Sequence, residues 1–470
     1  MLSYKVKIGL APMRRDRPQR PPKTFLAWES AEERGHRFVK YIEDNFTSEH
    51  VEFVNINGLG YNDLMFDDAS AEAVIERFQK EKVDAVIIIN CNFGNEEIVA
   101  EIAKTLGKPV CLWAPLDDEY YVHGERPTDS QCGIFGVSRQ LQRFGIPFSH
   151  IPCCRVESDE FKEAFERFTR VACMVKNFTG MRIGQIGTRP TPFFSVIWNE
   201  GELMQKFGVK IIPINMAMIQ ERFYKTKEEK AEEIAKYVQV FKDNYEMDAL
   251  TPPYLERMAC LVVTYKDLFE EFKLDVISAE CWTATPVMFD GLAPCAVYGI
   301  LADMGYIISC ESDMHCAITM SLLSSASFGK AKPFLGEFTV RHPENRNVEL
   351  LWHCGPFPLS VKDPECKAEL VNQREWFRVK EGEFTVARMD QENGDYMVLA
   401  GTCKTAPGPI TQGTYLWGEF EDLQAWEDRL IEGPYIHHFV EIEGDYTREL
   451  KEFCKYFPNL KMDETIKKIY

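Results

Sequence analysis

The chain has 470 residues, 45% hydrophobic and 27% charged, a composition of ordinary globular proteins and too long for one compact domain. Its net charge of −19, with basic residues mostly scattered, argues against a nucleic-acid partner. No apolar run approaches the roughly 20 residues that cross a bilayer, and the start lacks the apolar region of a secretory signal, so a cytoplasmic address without membrane attachment is expected.

In chain order, Lys5–Leu10 predicts a short strand. Ser30 with Glu33 forms a capping-box signature ahead of a helix through Phe38, Tyr41 and Ile42. A strand at Val51–Ile56 and a helix opened by Ser70 follow. Val83–Asn90 is a continuous apolar run, as expected of a strand buried on both faces of a parallel sheet. A helix at Glu96–Leu106 and a strand at Val110–Ala114 complete a doubly wound pattern. A long amphipathic helix with Phe161, Phe165, Phe168, Ala172 and Val175 on one stripe leads to Gly180. The alternation then restarts with strands at Met181–Gly187 and Val209–Ile214 and helical segments at Ser195–Phe207, Thr226–Asp243 and Met258–Phe272. Two apolar strands end on carboxylates: one delivers Glu280, and the next, after a helix beyond Pro294, delivers Glu311 and Asp313.

Beyond about Lys330 the texture changes to short strands between Gly, Pro and charged turns: Phe334–Val340, Val348–His353, Phe384–Met389, Tyr396–Thr402 and His438–Glu443, with a final helix at Tyr446–Lys455. The fold class expected is α/β, two doubly wound parallel-sheet domains (1–160 and 161–330) followed by a smaller β-rich C-terminal domain (331–470). The carboxylates fall in the second and the histidines in the third. Fifteen cysteines without a Cys-x-x-Cys pair read as buried reduced thiols rather than a zinc or redox centre.

Carboxylates at strand ends, with imidazoles at His353 and the His437–His438 pair, suit one divalent cation plus acid–base chemistry. Glu311 and Asp313 lie two apart, so in an extended segment they face one side and either can be the ligand. His437 and His438 on a strand would point to opposite faces, so one of the two reaches the metal; His438 is preferred. His315 lines the site or caps a helix, and Trp282 forms an apolar wall of the site or belongs to the core. The run Met13-Arg14-Arg15-Asp16-Arg17-Pro18, with Arg20 and Lys23, either grips an anionic substituent or is a solvated loop. Arg189 after a second-domain strand either contacts substrate or anchors its turn.

The sequence resembles the L-fucose isomerase and L-arabinose isomerase superfamily. The matching segments are Glu280-Cys281-Trp282, Cys310-Glu311-Ser312-Asp313, Trp352-His353-Cys354-Gly355 and the histidine pair before Gly444-Asp445. The resemblance is strongest from about residue 250 to 360 and fits a fucose isomerase-like protein. It implies an aldose–ketose isomerase moving a proton between C1 and C2 of an open-chain sugar through an enediol. It implies Mn²⁺, or another divalent cation such as Mg²⁺ or Co²⁺. Glu280 and Asp313 are then ligand and base, the pattern favouring Asp313 over Glu311, and a C-terminal histidine completes the shell. It implies a homo-oligomer, trimer or hexamer, with the site near a subunit interface where the early arginine loop reaches sugar. The substrate is a deoxysugar or pentose, or an anionic hexose such as sulfoquinovose. The rival reading is a non-catalytic sugar-binding or regulatory protein on a periplasmic-receptor-like scaffold, which would carry a secretory signal and would not need the carboxylate–histidine set. A metallohydrolase is disfavoured because the acidic residues lack binuclear spacing.

Overall fold

Why the early segments form a parallel sheet is plain from their burial. The computed structural model describes the chain apart from residues 17–24, 119–125, 248–250, 372 and 467–470. It divides into two compact units, Ser3–Lys176 and Met1–Leu2 with Asn177–Tyr470.

In the Ser3–Lys176 unit, β1 (Val6–Met13), β2 (Val51–Val54), β3 (Ala85–Asn90), β4 (Val110–Trp113) and β5 (Ser149–Ile151) form one parallel sheet in the order β2-β1-β3-β4-β5. Every residue of β3 is buried, which is why its sequence is uniformly apolar up to Asn90. With both faces covered, no polar residue needs to alternate along this strand; Val86, Ile88, Ile98, Ile102 and Leu112 share one core with helix residues Val74 and Phe78. The first helix begins at Trp28 with Ala27 at its cap and no side-chain bond there, so the capping box expected at Ser30 does not form. A true capping box starts the next helix, where Asp67 and Ser70 bond reciprocally.

The larger unit contains two sheets. β6 (Arg182–Ile186), β7 (Lys210–Ile214), β9 (Val276–Ala279) and β10 (Ile308–Ser309) are parallel, in the order β10-β9-β6-β7; the two-residue β8 (Glu246–Met247) joins the other sheet. That second sheet contains β11 (Phe334–Arg341), β12 (Val348–His353), β13 (Glu369–Val371), β14 (Arg374–Arg378), β15 (Glu383–Glu392), β16 (Asp395–Thr405), β17 (Thr414–Phe420), β18 (His438–Glu443) and β19 (Leu460–Asp463). Its order is β19-β16-β15-β18-β11-β12-β17-β14-β13-β8, and β16 also pairs with β17. The extra pairing closes six antiparallel strands, β16-β15-β18-β11-β12-β17, into a barrel-like ring, which removes their open edges. The fold is thus α/β, with parallel sheets and helices and a β-rich C-terminal part.

One continuous core joins the parallel sheet and the ring within this unit: Ile277, Ile308, Leu351, Val386, Leu399 and Phe439 belong to a single buried cluster. Between the sheets runs the helix Met314–Ala326, all thirteen of whose residues are buried. Having no polar face, it cannot sit at a surface, and its Ser and Thr hydroxyls turn back onto carbonyls such as His315 O and Ser321 O.

Candidate active site

The ends of β10 and β12 and the start of β18 bring the polar cluster together. Glu337 on β11 stands directly opposite His438 on β18 in the antiparallel register. Paired residues share a face of the sheet, so both side chains meet on one side. His353 ends β12, the neighbouring strand. Glu311 enters from the turn after β10, where it and Ser312 have φ of 60° and 57°. Two consecutive non-glycine residues in the left-handed region cost roughly 1–2 kcal/mol each, so this turn is held by its surroundings.

Ligand atoms of Glu311, Glu337 and His353 lie within 4.8 Å of one another, and so do those of Glu337, His437 and His438. His438 Nε2 is 3.3 Å from a Glu311 oxygen and 3.4 Å from a Glu337 oxygen. Glu311 Oε2, His353 Nε2 and His438 Nε2 are buried and have no hydrogen-bond partner. Polar atoms left this way are expensive unless something else satisfies them. Two carboxylates and two or three imidazoles converging with unpartnered polar atoms are the donor set of a divalent transition-metal ion, so these residues fit Mn²⁺ or a related cation.

His438 is oriented for that role. Its Nδ1–H donates to Asp313 Oδ2 at 3.0 Å, which leaves the Nε2 lone pair directed at the open group, the carboxylate–histidine arrangement common behind bound metals. Burial disfavours charge on His438, but Asp313, Glu311 and Glu337 outweigh it and raise its pKa well above the usual range, so a cation taking Nε2 would displace a proton there. Burial likewise opposes ionisation of Glu337, and the surrounding imidazoles still lower its pKa.

Asp313 itself stands one layer back. Its Oδ1 accepts from Cys316 N–H at 3.0 Å, capping the buried helix, and its Oδ2 takes Arg388 Nη1 at 2.8 Å as well as His438. Burial works against its charge, yet Arg388 and His438 keep its carboxyl well below the usual carboxylate range. With both oxygens engaged, Asp313 positions His438 while Glu311 presents the open oxygen, the reverse of the preference read from the sequence. Arg388, fully buried, also holds Asp390 at 2.6 Å, and Asp390 holds His315 Nδ1 at 3.1 Å. His315 therefore belongs to this supporting network and not to the lining anticipated for it.

Glu280 is placed outside the converging groups. Its carboxylate accepts from Thr283 N–H and Oγ1–H and from Thr285 N–H and Oγ1–H, the last three at 2.7, 2.9 and 3.0 Å. Burial raises its pKa and these donors more than reverse the effect, so the group is ionised. Gly187 (φ +70°) lies against it; a Cβ there would come within 2.9 Å of Glu280 Cβ, so a side chain would displace the acid.

Around the opening, Phe193 packs on Trp282 (5.8 Å between ring centroids), His438 (6.0 Å) and His437 (6.4 Å). Trp282 is 43% exposed, consistent with a wall. His437 precedes β18, so strand alternation does not separate it from His438, and both reach Glu337. Arg189 Nη1 donates to the carbonyls of Pro190 and Thr191 and its guanidinium covers Phe194, so it anchors the segment that carries Phe193. Arg14 and Arg15 belong to the Ser3–Lys176 unit. There Arg14 is buried between Trp28 and Phe66, 3.8 and 4.1 Å from the ring centroids, and Arg15 donates to Gly94 O. Arg17, Arg20 and Lys23 lie outside the described residues.

Sequence reasoning missed Glu337, Phe193, Arg388 and Asp390. Glu337 had one signal, a carboxylate inside an otherwise apolar strand start (Phe334-Leu335-Gly336-Glu337).

The cluster is therefore set where a parallel sheet brings carboxylates toward histidines on a closed antiparallel ring. The family described as fucose/sulfoquinovose isomerase, N-terminal domain, matches residues 22–179. A sulfoquinovose isomerase from Priestia megaterium is 26% identical over 402 residues, covering 81% of this chain and 85% of that protein. One from Alkalicoccus urumqiensis is 24% identical over 388 residues, covering 80% and 84%. Over most of its length the chain is similar to these fucose isomerase-like proteins. Among solved structures, an ABC transporter solute binding protein from Burkholderia multivorans aligns at 12% identity over 69% of this chain and 94% of its own, with a TM-score of 0.18 that carries no argument. Among the described residues, no helix is long and apolar enough to cross a membrane.

Proposed function

We propose that this protein is an aldose–ketose isomerase that works with one divalent cation, Mn²⁺ or a related ion, on an open-chain sugar. Its substrate is a sulfonated hexose of the sulfoquinovose kind, after the name its relatives carry. The observation that supports the metal is the convergence of Glu311, Glu337, His353 and His438 with three buried, unpartnered donor atoms. A bound cation would polarise the sugar's carbonyl and hydroxyl oxygens and stabilise negative charge as the C2 proton leaves.

The remaining work falls to the chain. Glu311, Glu337, His353 and His438 hold the ion, and Asp313, backed by Arg388, keeps His438 in the tautomer that offers Nε2. His353 Nδ1 now accepts Cys354 N–H at 2.9 Å, so its ring proton sits on Nε2. Were a cation held at Nε2, the ring proton would sit on Nδ1, where the Cys354 sulfur, 3.2 Å away, would accept its hydrogen bond. A carboxylate in this group takes the C2 proton and returns it to C1, since an ionised acid near the reacting carbon is a competent base at neutral pH. Trp282 and Phe193 cover the sugar's apolar face and keep water from the exchanging proton.

The resemblance gives Glu280 a share in proton transfer, and its test separates two roles. Glu280→Gln that loses turnover while retaining metal assigns it the proton; a variant that retains turnover but melts earlier assigns it the Thr283–Thr285 turn. The proposal includes a homo-oligomer, trimer or hexamer, in the cytoplasm, checked by native mass spectrometry.

The deciding experiment incubates the protein with Mn²⁺ and a panel of sulfonated, phosphorylated and neutral aldoses in D₂O, followed by NMR. Deuterium entering C1 or C2 together with ketose is expected for the sulfonated hexose. No exchange and no ketose from any aldose, with metal bound, would defeat the reading.

A further inference from the structure

We propose that Cys295 and Cys354 form a redox modification site: two thiols facing each other beside His353, which a peroxide joins as a reversible disulfide. All fifteen cysteines are free thiols. Cys295 Sγ and Cys354 Sγ approach to 3.6 Å although the residues are 59 apart in sequence. An S–S bond of about 2.05 Å needs a shift of roughly 1.6 Å shared between two side chains. Cys354 is a partly exposed residue, whereas Cys295 is buried, so peroxide would meet Cys354 first and Cys295 would resolve the product.

Position supplies a second, independent reason. Cys295 is the first residue of the nine-residue helix Cys295–Asp303, whose backbone fixes the position of its sulfur. Cys354 follows His353 directly, donates its N–H to Nδ1 and keeps its sulfur 3.2 Å from that nitrogen. The pair is therefore joined at one end to a helix terminus and at the other to the imidazole.

The chemistry balances with hydrogen peroxide as oxidant. Cys354 sulfur attacks one peroxide oxygen; an S–O bond forms, the O–O bond breaks and hydroxide departs, leaving a sulfenic acid. Cys295 sulfur then attacks the sulfenic sulfur; the S–S bond forms, the S–O bond breaks and a second hydroxide leaves. The protons released by the two thiols convert both hydroxides to water. Two thiols are oxidised by two electrons and one peroxide becomes two waters. The disulfide withdraws the Cys354 sulfur from His353 Nδ1 and so removes the acceptor for the proton that ligation places there.

The cross-link stands without the isomerase reading; only its effect on metal binding and turnover rests on that reading. The test treats full-length protein with hydrogen peroxide and reads intact mass, peptide mapping and Mn²⁺ binding by calorimetry. Expected are a loss of about 2 mass units from two hydrogens, a peptide linking Cys295 to Cys354, and Mn²⁺ affinity weakened by about tenfold or more, all reversed by dithiothreitol. Cys295→Ser, which leaves Cys354 and His353 in place, should bind Mn²⁺ as the parent does and form no cross-link with the oxidant, its Cys354 stopping at an oxidised thiol. A linkage between Cys281 and Cys310 instead, or over-oxidation without any cross-link, overturns the site. A Cys295–Cys354 disulfide that leaves Mn²⁺ affinity unchanged overturns the coupling to His353. A protein that cross-links as expected but isomerises no aldose supports the site and counts against the isomerase reading alone.

Discussion

Replacing Arg388 by methionine would leave Asp313 and Asp390 buried with no cation between them. Removing one member of a buried ion pair strands the others, at a cost of about 3–5 kcal/mol. Denaturant unfolding should show that loss, and Mn²⁺ affinity should fall with it because Asp313 loses the guanidinium that holds it ionised against His438. Glu349 on β12 makes a different prediction. Burial, opposed by Arg341, pushes its pKa up to about 7 from an ordinary 4.5. Between those values the folded state holds a proton the unfolded chain has lost, so stability falls as pH rises from near 4.5 to about 7 and then levels. Glu349→Gln removes that penalty: its melting temperature should exceed the parent's at pH 8 and converge with it near pH 5. The sequence resolved which residue types would meet, but not which carboxylate faces outward. The Glu311–Asp313 choice depended on left-handed backbone at Glu311 and Ser312 and on Arg388, 75 residues downstream of Asp313, and neither leaves a local trace.

Three neighbouring strands, β18, β11 and β12, carry three of the four residues proposed to hold the cation, and their hydrogen-bond ladder sets the spacing. Strands β12 and β18 were readable to their end residues, because alternation and flanking turns mark them. The strand β17 was not read at all. Six of its seven residues are buried, it contains Gly418, and its purpose, closing the ring against β12 and β16, is a long-range fact. Glu337 was missed for the same reason: its importance comes from the partner across the ladder. The segment carrying Phe193 is the one element at the opening that no pattern announced. Phe193→Ala would remove a ring that touches Trp282 and both histidines. It should raise KM for the sugar by about tenfold, the size of one lost aromatic contact, with little change in Mn²⁺ affinity.

The division into Ser3–Lys176 and the larger unit allows a test on the whole chain. All the converging carboxylates and imidazoles lie in the larger unit. An ion that binds only folded protein stabilises what it binds, by about 2.7 kcal/mol at a hundred times Kd. Scanning calorimetry should therefore show two transitions, with Mn²⁺ raising one and leaving the other in place, and chelation should reverse the shift. A uniform shift of both would mean that the units melt as one. The alternating βα order of both parallel sheets was legible because apolar runs and amphipathic helices repeat along the chain.

The ring bears on which ions the proposed site would accept. Glu337, His353 and His438 hang from adjacent staves whose separation cannot change without breaking ladder bonds, whereas Glu311 alone arrives from a turn. Three points of a cradle are then of fixed gauge and the fourth sets the fit. Lengthening or shortening that single arm, as Glu311→Asp would, is the change that should reorder preference among manganese, cobalt and magnesium while the barrel stays as it is.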